Sequence, residues 1–228
     1  MLTRLRAVAV LILIASTVLV SQTENRDSTL HKMTKAELMR CASTDELATC
    51  KYDMYDVADE LARRKDPDFL IRKYPKADEA QREVIVMAAF RLKHDTAVTH
   101  FMREVAFKNL RNELDTTPRW FALQYLAETC DEPALKRLNG NHNFAGSYPV
   151  GCMWWTKTIR TFGKCRYRPA IPHLIQSTNL VACLNISDAV TESLLDFFPG
   201  KCRQAKSYDQ VHDCFGRVAG IATSKKAR

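Results

Sequence analysis

Apolar residues along this chain recur mostly at three- and four-residue intervals. Val98, Phe101, Met102, Val105 and Ala106 form one such stripe, the pattern of an amphipathic helix that buries a single face. Ile186, Val190, Leu194 and Phe197 form another, and it stops at Pro199-Gly200, where a helix cannot continue. "VIVMAAF" (Val84–Phe90) is apolar all round and predicts a helix covered on every side. "MWWTKTIRTF" (153–162) predicts a further helix. Start signals agree with the stripes. Thr117-Pro118 reads as an N-cap followed by proline at the first helical position, where a missing N–H costs nothing. Ser43-Thr44-Asp45-Glu46 and Ser207-Tyr208-Asp209-Gln210 both fit a capping box. With only 7 glycines, the chain is a poor candidate for a turn-rich sandwich or barrel. The class expected is all-α.

The helices come in a recurring order. "EPALKRL" (Glu132–Leu138) and "RPAIPHL" (Arg168–Leu174) superpose at an offset of 36 residues. The match extends upstream, pairing Leu123 with Ile159, Leu126 with Phe162 and Ala127 with Gly163. "LARRKDPDFL" (Leu61–Leu70) superposes on "LAETCDEPAL" (Leu126–Leu135), and "AAFRLKHDTAV" (Ala88–Val98) is a weaker copy. Junctions therefore fall near Asp66, Asp95, Asp131 and Arg168. Periods of this length mark stacked helix pairs, each unable to bury its own apolar stripe without a neighbour.

"RWFALQYLAETCDEPALKRL" and "RPAIPHLIQSTNL", with weaker echoes over roughly residues 44–198, resemble the HEAT-like repeats of many bacterial proteins, the phycobilin lyase-type subset included. The resemblance implies a short right-handed α-solenoid of four to five helical hairpins, and it is nearly silent on function. The Asp95 junction departs from the pattern in lacking proline, and "NGNHNFAGSYP" (Asn139–Pro149) makes one turn unusually long.

The amino terminus changes the expected compartment. Arg4 and Arg6 precede the uncharged run Ala7–Val20, and Ser21, Gln22 and Thr23 follow it. A basic start, a short apolar stretch and a polar exit describe a secretory signal peptide cleaved near Ser21. The run is shorter than the ~20 residues that span a bilayer. Residues 1–21 are read as signal peptide, 22–32 as a flexible leader, 33–220 as the HEAT-like domain and 221–228 as a basic tail. Losing the signal peptide's two arginines takes the formal charge from +8 to +6. The location expected is secreted or periplasmic.

All eight cysteines follow the signal, and an even count in an exported chain reads as disulfides. No C-x-x-C or H-x-x-H occurs, so zinc is not expected. Cys152 and Cys165 bracket a predicted helix, which separates them by roughly 20 Å at 1.5 Å per residue, too far for a disulfide. In an alternating solenoid, cysteines at the same end of successive repeats meet. That pairs Cys130 with Cys165 and Cys152 with Cys183, with Cys130–Cys152 an open rival. Cys41–Cys50 would clip the first helix to the second, and Cys202–Cys214 would pin the last helix.

Catalytic signatures are absent. The chain has no G-x-S-x-G, no H-E-x-x-H and no glycine-rich phosphate loop. Its six histidines are scattered; His94-Asp95 with His100 is the nearest to a constellation, and Asp66, Asp95 and Asp131 sit at helix starts, where a carboxylate favours the dipole. Two local features suit recognition instead. Trp120, Tyr125, Trp154 and Trp155 fall on second helices of adjacent repeats, as core rings or as surface rings. Lys157, Arg160 and Lys164 share a helical face, with Arg166 and Arg168 close behind. Trp120, Tyr125, Trp154, Lys157, Arg160 and Lys164 are the candidate partner-binding residues. An aromatic and cationic strip suits an acidic protein segment or an anionic glycan. Export makes nucleic acid a poor partner, and no cofactor is implied. The reading is an exported, non-catalytic scaffold or binding protein presenting a concave helical surface to a partner protein. A binding module for anionic envelope polysaccharide is the alternative, ahead of an enzyme of unrecognised type.

Overall fold

The computed structural model describes residues 29–46, 48–93, 95–108, 117–140, 149–177, 186–202, 204 and 208–220, with the backbone alone at 149–154, 176–177 and 208–209. Among these residues there are eleven α-helices and no strand. They are α1 (Lys35–Cys41), α2 (Met54–Arg63), α3 (Pro67–Lys73), α4 (Glu79–Arg91), α5 (Thr96–Phe107), α6 (Thr117–Glu128), α7 (Glu132–Gly140), α8 (Pro149–Lys164), α9 (Ile171–Ser177), α10 (Ile186–Phe197) and α11 (Tyr208–Ala219). Short 3-10 turns follow α3 and precede α9, at Tyr74–Lys76 and Arg168–Ala170. The chain divides into two compact units between Phe101 and Met102.

Carboxylates start the helices as the junction spacing predicts. Asp66 accepts from the Phe69 amide, Asp95 from Val98 and Asp131 from Ala134, so each satisfies an amide that the first turn leaves without an intrahelical partner. Helices α1 and α4 open on full capping boxes, Thr34 with Glu37 and Asp78 with Gln81. The capping box expected at Ser43–Glu46 starts no helix. Residues 43–46 form turns with i to i−3 bonds, and α2 is capped by Asp53 instead. The cause is the Cys41–Cys50 disulfide, whose Cα atoms lie 5.4 Å apart. Nine residues of helix would span about 13 Å.

In the first unit, α2 packs on α1 and α4, and α3 packs on α4. Every residue from Val84 to Phe90 is buried, as the unbroken apolar run predicts. Beneath this core edge lies a buried carboxylate. Glu60 (2 % exposed) accepts from Arg63 and Arg64 on its own helix and lies 2.6 Å from His31 Nδ1. The Arg64 guanidinium also donates to the Met33 carbonyl at 2.6 Å. Leu30 is buried beside them, so the last residues of the segment read as leader are part of this unit.

In the second unit, α8 touches both α6 and α10, while α7 touches the Arg168–Ala170 turn and α9 touches α10 and α11. Residues matched by the 36-residue offset occupy matching sites: Leu123 and Ile159, Leu126 and Phe162, Ala134 and Ala170, and Leu138 and Leu174 are all buried. The helix ends match too. Cys130 (φ 61°) and Arg166 (φ 50°) both adopt the left-handed conformation. Their amides donate to Ala127 and Gly163, and the following amides of Asp131 and Tyr167 donate to Leu126 and Phe162. This paired turn satisfies carbonyls that the helix end would orphan. Lys65 (φ 50°), aligned with Cys130 in the sequence, closes α2 with the same left-handed residue. Cys130 and Cys165 are bonded, with Cα atoms 5.3 Å apart, as expected. That excludes the rival Cys130–Cys152. Cys202–Cys214 is bonded as expected, whereas Cys183 and the Cys152 side chain lie outside the described residues.

Candidate functional site

Helix α8 carries most of the residues singled out for recognition, and its packing decides which can serve. Three buried polar side chains pin it to α6. Thr158 donates to Gln124 Oε1 at 2.9 Å, and Gln124 Nε2 donates to Thr161 Oγ1 at 3.0 Å. Thr161 in turn donates to the Lys157 carbonyl. Every partner is satisfied, so the network fixes α8 against α6 with no uncompensated desolvation.

On its other side α8 meets α10 closely. Ser193 donates to the Ile159 carbonyl at 2.6 Å, and a Cβ at Gly163 would stand 2.6 Å from the Ser193 Cα. The neighbour is backbone, so it cannot rotate away. Gly163→Ala is expected to cost about 1–2 kcal/mol net, since overpacking outweighs the helix propensity regained. Gly140→Ala, with nothing within 4 Å of the new methyl, is the control. Thermal melts should move down for the first and stay level or rise for the second.

The cations of the expected strip divide into two sets. Lys157 pairs with Glu128 of α6 at 2.7 Å, and Arg160 pairs with Glu192 of α10 at 2.6 Å. The hydrogen bond to Glu192 raises the Arg160 pKa above its ordinary value. Both side chains are spent on neighbouring helices, one on each flank of α8. As part-exposed pairs they contribute at most about 1 kcal/mol each. Lys164, in contrast, is exposed and makes no ion pair among the described residues, and the same holds for Arg166 and Arg168.

The rings divide as well. Tyr125 is 3 % exposed and belongs to the core of α6, as do Trp155 at 5 % and Phe162 on α8. Trp120 is half-buried and meets Phe121 edge-on at 6.2 Å. The Trp154 side chain lies outside the described residues. The six candidates are therefore not gathered on one surface: Tyr125 is interior, Lys157 and Arg160 are neutralised, and Lys164 stands free.

Two features were not singled out from the sequence. Lys136 and Arg137 on α7 are exposed and make no ion pair among the described residues. Their place was legible, because Ala134, Leu135 and Leu138 take the inner face of α7 and leave 136 and 137 outside. Burial and then the nearby Arg137 charge lower the pKa of Arg119, which donates to the Ala106 carbonyl. The second feature is an apolar cleft between α10 and α11, lined by Leu195, Pro199, Cys202, Val211 and Phe215. Leu195 is 37 % exposed, and the Cys202–Cys214 disulfide holds the cleft's floor. Nothing in the stripe of α10 marks this cleft, because it depends on where α11 lies.

Among the described residues no group of three or more His, Cys, Asp or Glu side chains could hold a metal ion, and no helix is long and apolar enough to cross a membrane. His100 is exposed, and His94 lies outside the described residues. No protein-family model, curated protein or solved structure matches this chain.

Proposed function

We propose that this protein is an exported, non-catalytic binding protein built of HEAT-like helical hairpins in the α-solenoid manner, presenting its helical surface to a partner protein. One observation carries the reading. A left-handed residue closes α2, α6 and α8 at positions aligned in the sequence, and next-but-one helices touch in each unit. Hairpins stacked this way bury their inner stripes on one another and leave a continuous outer surface free for recognition. The disulfides support an oxidising location, and the apolar run behind Arg4 and Arg6 supplies the means of export.

The test has two arms. Residues 1–28 fused to a reporter that is active only after oxidation outside the cytoplasm should yield activity; a silent reporter removes export. The full chain, immobilised with its disulfides intact, should retain one defined protein from the cell envelope, and that protein should retain this chain in reverse. Turnover of a small substrate by the purified chain would overturn the non-catalytic reading.

The unpaired cations of α7 and the turn after α8 favour a second reading, a module for anionic envelope polysaccharide. Charge-dominated glycan binding weakens steeply as salt rises, which separates it from a contact with an apolar centre.

A further inference from the structure

We infer that the edge formed by α7 and the α8-to-α9 turn is a docking site for a short acidic segment of a protein. The inference rests on the proposed role as a protein-binding scaffold and names the chemistry of its partner. Lys136 and Arg137 lie on α7, Lys164 ends α8, and Arg166 and Arg168 lie on the turn that follows, against which α7 packs. The two pieces are fixed together. Asn139 Nδ2 donates to the Pro169 carbonyl at 3.4 Å, and the Cys130–Cys165 bond ties the start of one to the start of the other.

Elsewhere on this unit, four cations of α5, its end and α8 are matched. Arg103 pairs with Asp131, Lys157 with Glu128, Arg160 with Glu192 and Lys108 with Glu104. Glu132 lies near this edge, where burial and then its charge raise the Tyr167 pKa. Five exposed cations on two pieces tied together by the Cys130–Cys165 bond suit an acidic ligand by charge complementarity. Three of the five are arginines, whose planar guanidinium groups match carboxylates two bonds at a time. Half-buried Tyr167, between Arg166 and Arg168 and stacked on Phe162 at 5.8 Å, adds an apolar surface for the ligand's stem. The compactness of the frame favours a short peptide. A long polyanion would be matched by a basic track running the length of the unit, and on α8 that track is interrupted by the neutralised Lys157 and Arg160.

The test uses the full chain and a fluorescent ten-residue oligoglutamate, read by anisotropy at physiological salt. Arg137→Gln, Arg166→Gly and Arg168→Gln together should weaken binding at least tenfold. Arg166→Gly suits the left-handed backbone there, so a melt of the triple variant should match that of the natural chain and exclude misfolding. Lys157→Gln with Arg160→Gln should change binding less than twofold. Equal losses in the two variants, no oligoglutamate binding, or tighter binding of a sulfated or uronic-acid glycan than of oligoglutamate would each overturn the acidic-peptide site. The envelope partner, if retained equally by the triple variant, leaves the scaffold role standing while removing this edge from it.

Discussion

Replacing Cys130 and Cys165 together by alanine is expected to lower the melting temperature by about 10 °C. The bond closes 35 residues of sequence separation, and restricting the unfolded chain over such a loop contributes about 3–4 kcal/mol. In a chain of this size each kcal/mol shifts the midpoint by about 2–4 °C. The bond also joins two helix ends at the left-handed Cys130, so its loss frees the α6 end as well as the loop. Cys41–Cys50 and Cys202–Cys214 close separations of only 9 and 12 residues. Their double alanine variants should lose less, in the order of loop length. Calorimetry of the three variants measures this directly. A smaller loss for Cys130 and Cys165 than for the short loops would show that loop closure is not what stabilises the second unit.

Glu60→Gln is expected to cost about 3 kcal/mol at neutral pH and to remove most of the acid sensitivity of the first unit. Burial by itself would raise the Glu60 pKa. Hydrogen bonds from Arg63, Arg64 and His31, with the Arg64 charge, reverse that and hold it at about 2. A carboxyl depressed on folding contributes stability that is fully present above its unfolded pKa, near 4.5. The contribution fades as pH falls from there toward 2, and a shift of this size corresponds to about 3 kcal/mol. Neutral glutamine keeps the shape but leaves half-buried Arg64 beside a poorer acceptor, and removing the charge of the buried partner is costly. Melts from pH 2 to pH 7 should show a steep rise through pH 2–4.5 in the natural chain and a shallow one in the variant. Because Arg64 also holds the Met33 carbonyl, limited proteolysis should open the chain near Leu30 first. Parallel pH profiles for the two proteins would remove Glu60 from the account.

Much of the fold was legible because it depends on local order. The stripes of α5 and α10, the covered run of α4 and the carboxylates at Asp66, Asp95 and Asp131 follow from helical spacing and the chemistry of unpaired amides. The 36-residue offset foretold that Cys130 and Cys165 would meet, because equivalent ends of successive hairpins lie side by side. Reading Ser43–Glu46 as a helix start failed for a stated reason: a disulfide across nine residues forbids the helix that the side chains would cap. Thr34 with Glu37 and Asp78 with Gln81 carry the same signature and do start helices, because no bond across the following residues opposes them.

The candidate site was less legible. A sequence shows that Lys157, Arg160 and Lys164 share a face, but not that Glu128 and Glu192 come from two other helices to neutralise the first two. It shows a tyrosine at 125 without showing that α8 covers it. Charge and aromaticity are written residue by residue, whereas availability depends on what packs alongside. The sequence alone therefore determined the helical class, the helix boundaries near its aspartates and the pairs Cys41–Cys50 and Cys202–Cys214, since each depends on spacing along one chain. The choice of Cys165 over Cys152 as partner of Cys130 waited on the packing. Which cations remain free, how closely Gly163 lets α10 approach, and the cleft behind Leu195 were decided only by tertiary packing, because each depends on a distance between helices that no local pattern encodes.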